Sequence, residues 1–361
     1  MWDFGLGDYW HHRLFAMKGI KINMLRNKLG KQTLLFRNRP EILGTGSVVG
    51  VKEGQGPLGK GFDLVLEEDT FGEKNWELAE SKMLSQAMKT AMKKAGKNED
   101  QIDAILSGDL LNQLMSSTFS AKDFSIPFLG MYGACSTMTE SILMGCVLVD
   151  GGYADTIVAA ASSHYSTAER QFRLPLEHGN QRPPSAQWTA TASGSLVIGR
   201  TENPQFCCTH ATIGKIVDTG LTDANQMGAA MAPAALDTIY RHLLDTGRDW
   251  SYYDRILTGD LGRIGKQILL DMVKNLGMDM SPAYDDCGVL IYDQEQDVHS
   301  GGSGCGCSAS VFAGPIYKSM LEGSLKKVLL VSTGALVTTT SALQGESIPG
   351  IAHAVAIEAL R

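Results

Sequence analysis

Gly96-Lys97-Asn98-Glu99-Asp100-Gln101-Ile102-Asp103-Ala104-Ile105-Leu106-Ser107-Gly108-Asp109-Leu110 is answered later in the chain, without a gap, by Gly247-Arg248-Asp249-Trp250-Ser251-Tyr252-Tyr253-Asp254-Arg255-Ile256-Leu257-Thr258-Gly259-Asp260-Leu261. Seven of these fifteen positions are identical: Gly96/Gly247, Asp103/Asp254, Ile105/Ile256, Leu106/Leu257, Gly108/Gly259, Asp109/Asp260 and Leu110/Leu261. Each copy follows an amphipathic helix. Between Glu73 and Ala95, Trp76, Ala79, Met83, Ala87 and Ala91 recur at three- and four-residue intervals, and between Pro233 and Thr246 the residues Ala235, Ile239 and Leu243 do the same. Gly96 and Gly247 stop the helices, and the apolar runs behind them, Ile102 to Ser107 in the first copy, read as buried strands.

A second pair follows at a slightly different offset. Cys135-Ser136, a helix, Gly151 and the strand Thr156 to Ala161 correspond to Cys307-Ser308, a helix, Gly323 and the strand Val328 to Ser332. Both halves therefore run helix, strand, Gly-Asp, Cys-Ser, helix, strand. This order predicts an α/β fold of two duplicated halves, with mixed, mostly parallel sheets related by a pseudo-twofold axis. The halves are expected at 30–205 and 206–361, meeting between the strands Ser195 to Gly199 and Ala211 to Val217. The stretch from His178 to Thr191, with Arg182-Pro183-Pro184-Ser185 inside it, reads as an excursion rather than a strand.

With 361 residues, 43% of them hydrophobic and 20% charged, the chain is long enough to bury a large core. A net charge of -7 offers no basic field for phosphates, so nucleic acid is not expected as a partner. The seven cysteines match no zinc spacing and read as thiols. No run approaches the roughly 20 apolar residues of a membrane-spanning helix. Residues 1–29 mix Asp, His, Arg and Lys among apolar residues and lack the apolar core of a signal peptide. They are expected to form a poorly ordered extension, with Met17 and Met24 as alternative starts.

The candidate functional residue is Cys135, in Gly133-Ala134-Cys135-Ser136-Thr137-Met138-Thr139-Glu140. Thr137 and Glu140 have the spacing of a capping box, which places the cysteine just ahead of a helix. Free N–H groups and the positive end of the helix dipole favour a thiolate there. The same sequence also suits small-residue packing at a tight strand-to-helix turn, and both readings stay open.

A helix-start cysteine inside a duplicated α/β chain resembles the thiolase and ketoacyl-synthase superfamily, over nearly the whole chain after residue 30. The resemblance implies a thiolase-like fold, a nucleophile at Cys135, and a histidine and a second polar partner supplied by the second half. The chain departs from that pattern. Leu257-Thr258-Gly259-Asp260-Leu261-Gly262-Arg263-Ile264 holds neither the histidine nor the asparagine, and Gly301-Gly302-Ser303-Gly304-Cys305-Gly306-Cys307 lacks the thiolase Gly-His-Pro turn. Ser347-Ile348-Pro349-Gly350-Ile351-Ala352-His353 stands where thiolases place a second cysteine. His164, His299 and His353 are the remaining candidates for a base.

Five motifs resemble, together and in order, the stage V sporulation protein AD family: Asp109-Leu110-Leu111-Asn112-Gln113, Gly133 to Thr137, Ala168-Glu169-Arg170-Gln171-Phe172-Arg173, Ala230-Met231-Ala232-Pro233-Ala234, and Gly301 to Cys305. That resemblance implies a subunit of the spore's dipicolinic acid channel that binds dipicolinate, or its calcium chelate, in a vestigial cleft. It also implies location in the forespore or spore, peripheral on the inner spore membrane through the channel's membrane subunits. A homodimer is expected, and no cofactor or resident metal. The rival reading is an acyl-CoA or ketoacyl-synthase-like acyltransferase using Cys135. Dipicolinate is a flat aromatic dianion, suited to arginine forks, hydroxyls and helix-start N–H groups. Arg170 and Arg173 are the candidate forks. Asn112, Ser136, Ser163, His164, Ser303 and Cys305 complete the expected site with Cys135. Asp109 and Asp260 end matching strands beside the cleft, where they could cap loops, position a protonated ligand or ligate calcium by oxygen.

Overall fold

The computed structural model describes residues 27–171 and 182–360. In chain order its main elements are β1 (Glu41–Val49), α1 (Trp76–Lys94), β2 (Ala104–Gly108), α2 (Met115–Ala121), β3 (Phe128–Gly130), α3 (Thr137–Gly151), β4 (Thr156–Ser163), α4 (Tyr165–Gln171) and β5 (Ala192–Gly199). The second half continues with β6 (Phe206–Thr212), α5 (Met227–Thr246), β7 (Arg255–Thr258), α6 (Gly262–Asn275), β8 (Tyr284–Asp286), α7 (Cys305–Val311), β9 (Lys327–Ala335) and β10 (Gly350–Ala359).

The repeated glycines do the same work in both halves. Gly96 and Gly247 sit in the left-handed region at φ 63° and 67°, where a side chain would be strained. Behind each, a backbone N–H reaches back to close the helix: Lys97 donates to the Met92 carbonyl and Arg248 to the Leu243 carbonyl, both at 3.0 Å. At the other end of α1, the Asn75 side chain accepts the Leu78 N–H at 2.9 Å. The second helix differs from expectation: α5 begins six residues before Pro233 and carries that proline inside it. Its first turns, Gly228 to Ala232, show little amphipathic period because Ala230, Met231 and Ala232 are all buried.

Sheet order is β3-β2-β4-β5-β1, then β6-β10-β9-β7-β8, so the second array repeats the first in mirror order along the sheet. In each array four strands point one way and one, β5 or β10, is reversed. The arrays touch through a single antiparallel pair, Cys207 opposite Glu41. This is the duplicated, mostly parallel α/β architecture that the repeat predicts.

Helices α3 and α7 lie between the two arrays, whereas α1 covers the first and α5 and α6 the second. The largest core joins both halves, with Leu106, Met138, Ile142, Ile157 and Leu196 from the first packed against Cys307, Phe312, Val328 and Val355 from the second. Outer cores sit under α1 (Leu84, Met88, Ile105, Val197) and under α5 and α6 (Met231, Ile239, Leu269, Leu329). Each such buried side chain contributes about 1.5–3 kcal/mol relative to exposure.

Residues 1–26 of the expected extension lie outside the described residues, while Lys28 and Leu29 pair with Leu34 and Thr33 in a short antiparallel ladder. Residues 172–181 are likewise outside. Beyond them the chain forms no strand until Trp188–Thr189, which pairs in parallel with Gly302–Ser303.

Candidate functional site

Both Gly-Asp pairs end strands pointing at one cleft, and close packing explains the glycine. A Cβ on Gly108 would stand 1.9 Å from the Met131 carbonyl oxygen, on the segment that leads to Cys135. The two aspartates then diverge. Asp109 turns to its own half: its carboxylate accepts the Leu111 N–H at 2.8 Å and the Ser117 N–H at 2.7 Å, capping the start of α2. Asp260 turns toward the cleft. Its Oδ1 accepts the Thr333 hydroxyl at 2.7 Å, and its Oδ2 accepts the Ser303 hydroxyl at 3.2 Å and the Gly304 N–H at 3.1 Å. The Cys135 side chain acts on the same carboxylate, favouring its charged form. Burial raises both aspartate pKa values, and the hydrogen bonds each accepts pull them back.

The turn at Cys135 is held from within. Ala134 is left-handed at φ 51°, an uncommon position for a residue with a side chain. The Ser136 N–H donates to the Gly133 carbonyl at 3.1 Å and the Thr137 N–H to the Ala134 carbonyl at 3.3 Å. Side chains repeat the pattern, Ser136 Oγ donating to the Gly133 oxygen at 2.7 Å and Thr137 Oγ1 to the Ala134 oxygen at 2.6 Å. These contacts replace the expected capping box, because Thr137 already lies inside the helix and Ser136 is its cap. They also occupy two of the amides expected to face a thiolate.

Cys135 is 8% exposed, whereas the other six cysteines have no exposed surface. It opens onto a narrow cleft lined also by Leu110, Tyr132, Ala134, Met227, Ser303, Ala335 and Val337, with free volume of about 20 Å³. That is room for about one water molecule. The Cys305 thiol donates to the Ser162 carbonyl at 2.8 Å, and burial, followed by the nearby Cys135, pushes its pKa up.

The other expected residues lie elsewhere. Ser163 is buried, donating to the Ala190 carbonyl at 2.7 Å and accepting the Gly306 N–H at 3.1 Å. His164 is spent on structure, with Nε2 on the Asp69 carbonyl at 3.0 Å and Nδ1 accepting the Ser166 N–H at 3.2 Å, and burial lowers its pKa. His299 contacts the Pro183 carbonyl at 2.8 Å and Asp297 at 3.1 Å. His353 accepts the Gly214 N–H at 3.1 Å, and burial holds its pKa down at about 4. None of the five described histidines lines the cleft. Arg170 pairs with Glu77 at 3.0 Å, and Arg173 lies outside the described residues. Asn112 is exposed and donates its backbone N–H to Gln171 at 3.0 Å. Among the described residues, no group of three or more His, Cys, Asp or Glu side chains is arranged to hold a metal ion.

The site thus joins Cys135, Asp260 and Ser303, and sequence reasoning missed two of its supports. Thr333 was legible only as a polar residue at the end of an apolar strand. Gln187, whose Nε2 donates to the Asp260 carbonyl at 2.7 Å and the Gly302 carbonyl at 3.0 Å, sits in the excursion and carries no motif.

Solved structures place this arrangement in the thiolase-like fold. The chain matches 3-oxoacyl-[acyl-carrier-protein] synthase III from Aquifex aeolicus VF5 at TM-score 0.53, covering 88% of this chain and 99% of that one at 13% identity. An OleA variant from Xanthomonas campestris gives TM-score 0.60 at 12% identity, over 90% of this chain and 97% of that one. Human mitochondrial 3-ketoacyl-CoA thiolase in complex with CoA gives 0.55 at 12% identity, over 90% and 99%. Sequence resolves the class further. The pattern of the stage V sporulation protein AD family matches residues 30–358, and the Bacillus subtilis (strain 168) stage V sporulation protein AD is 46% identical over 329 residues, 91% of this chain and 97% of that protein. The chain belongs to the stage V sporulation protein AD family.

Proposed function

We propose that this chain is a dipicolinate-binding subunit of the spore's dipicolinic acid channel, using a thiolase-like cleft for binding rather than acyl transfer. The make-up of the cleft carries the reading: Cys135 and Ser303 line it, the buried Asp260 stands behind Ser303, and none of the described histidines lines the pocket. Among the described residues no imidazole is placed to serve as the general acid and base that acyl transfer usually employs. Family membership supports the sporulation role. The cleft offers a hydroxyl and a thiol to ligand carboxylates, and apolar walls at Leu110, Met227 and Val337 to an aromatic ring. Because the free volume at Cys135 is about 20 Å³, ligand entry requires the walls to part.

No helix among the described residues is long and apolar enough to cross a membrane, so attachment to the inner spore membrane would run through the channel's membrane subunits. The working unit would be a homodimer. Calorimetric titration with dipicolinate, with and without calcium, tests the binding, and saturable binding to the purified protein is expected. Incubation with acyl-CoA followed by intact mass tests the alternative. An acyl adduct on Cys135 or thioester turnover would replace this reading with an acyltransferase, and the absence of saturable binding would reduce the cleft to a relic.

A further inference from the structure

The outward face of α1 is built from one kind of side chain. Of its 19 residues, Trp76 to Lys94, the ones exposed to solvent are Lys82, Lys89, Lys93 and Lys94. Lys82, Lys89 and Lys93 follow one another at intervals of seven and four, which sets them in a row along one side of the helix. From Lys82 to Lys94 the row runs about 18 Å. Two acids answer it: Glu73 pairs with Lys82 at 2.9 Å, and Asp63 pairs with Lys94 at 2.7 Å and with Lys318 at 3.9 Å. Lys89, whose Nζ lies 5.5 Å from the centre of the Phe124 ring, and Lys93 form no ion pair among the described residues. Helix α6 supplies the contrast, with Ile264, Gln267, Asp271, Lys274 and Asn275 as its exposed residues. The whole chain carries -7, so the face of α1 is a local reversal of sign.

We propose that this lysine row rests on the anionic headgroups of a lipid bilayer and orients the first half against the membrane. The composition of the row selects the partner. Specific protein interfaces are enriched in aromatic residues, Met and Arg and depleted in Lys, because desolvated anchors carry their binding energy. None of the exposed residues of α1 is such an anchor. Lysine is a compact, strongly hydrated charge on a flexible stem, suited to a diffuse layer of phosphates that has no fixed geometry. Each lysine close to an anionic surface favours binding about fivefold, and the attraction fades within a Debye length. The contact is therefore reversible and salt-sensitive, and it leaves firm attachment to the membrane subunits. It does not depend on what the cleft binds.

Flotation of the full chain with phosphatidylcholine vesicles, made with and without phosphatidylglycerol, tests the contact. At about 0.01 M salt, where charges are felt over about 30 Å, the protein should float with the anionic vesicles and not with the neutral ones. At about 0.15 M salt, where that reach shrinks to about 8 Å, the bound fraction should fall. Lys82→Gln, Lys89→Gln, Lys93→Gln and Lys94→Gln combined should weaken binding at the lower salt by at least about tenfold. Lys215→Gln, Arg255→Gln, Lys274→Gln and Lys326→Gln remove the same charge from exposed positions of the second half and should leave binding near that of the parent. Circular dichroism establishes that both variants are folded. An unaltered chain that fails to float with anionic vesicles, or an α1 variant that floats as the parent does, would overturn the proposal. Equal losses in the two variants would also overturn it, by showing that overall charge rather than α1 draws the vesicles. A DNA duplex bound more tightly than the vesicles through the same four lysines would replace the bilayer with a nucleic-acid backbone.

Discussion

Asp109 and Asp260 occupy equivalent ends of equivalent strands, yet only one reaches the cysteine. Asp109 is consumed by the turn into α2, with both oxygens taken by backbone amides. Asp260 is released from that duty because Asp286 accepts the Leu261 and Gly262 amides instead, at 2.8 and 3.0 Å. The sequence reading placed both aspartates and Cys135 near one cleft, but identical Gly-Asp-Leu motifs cannot show which carboxylate turns outward. If the role of Cys135 is the shape of the pocket and the geometry of the helix start, Cys135→Ala should weaken dipicolinate binding by less than about tenfold, or 1.4 kcal/mol. Cys135→Trp should fill the cleft and abolish binding. Calorimetric titration of both folded variants decides, and complete loss in Cys135→Ala would show that the thiol is indispensable. Glu53 offers a pH test at the same scale. Its buried carboxylate accepts from Tyr292 in the second half and from the Thr191 amide, and burial raises its pKa to about 7. A raised carboxyl pKa means that folding stability is lost as pH climbs from the unfolded value through 7. Glu53→Gln carries no such proton, so its stability relative to the parent should grow by roughly 3 kcal/mol between pH 5 and pH 8. Urea unfolding at the two pH values measures this, and an equal difference at both would refute it.

At the scale of elements, the contacts between helices and strands are set by missing side chains. On β1, a Cβ at Gly46 would stand 2.1 Å from the Ala87 carbonyl oxygen and one at Gly44 2.6 Å from that of Ala91, so α1 rests directly on the strand backbone. The inner layer does likewise, where a Cβ on Gly194 of β5 would meet the Ala309 carbonyl of α7 at 2.2 Å. Gly46→Ala should therefore force α1 off the sheet and destabilise the fold by about 1–3 kcal/mol, seen as a lower urea midpoint with an unchanged slope. A midpoint within error of the parent would show that α1 can shift freely. These close approaches were not legible beforehand, because Gly44-Thr45-Gly46 reads as an ordinary strand interruption. The helices themselves were legible where one face is apolar, as in α1. They were illegible where burial is nearly complete, as in the first turns of α5, since a segment covered on every side loses its period.

For the whole molecule, the duplication was readable because each half reuses the same punctuation of helix-stopping glycine, Gly-Asp and Cys-Ser. What joins the halves was not readable, since the arrays share one strand pair and otherwise meet through the faces of α3 and α7. Among the described residues, β3 lies at the outer edge of the first array and pairs only with β2. Leu129 on that strand and Tyr132 just beyond it are each 51% exposed, and Met115 and Phe119 on the neighbouring α2 are 37% and 38% exposed. An apolar strand edge in water invites further pairing. A second copy of the chain meeting β3 about a twofold axis would cover these side chains and continue the sheet, and it would bring the partner to the rim of the cleft, because Tyr132 also lines that pocket. Light scattering at micromolar concentration should therefore give about twice the 38.9 kDa mass of one chain. Leu129→Asp combined with Tyr132→Asp should return the mass to that of one chain and weaken dipicolinate binding together with it. A monomer in the unaltered protein would remove the dimer, and a dimer that survived both substitutions would place its interface on another face.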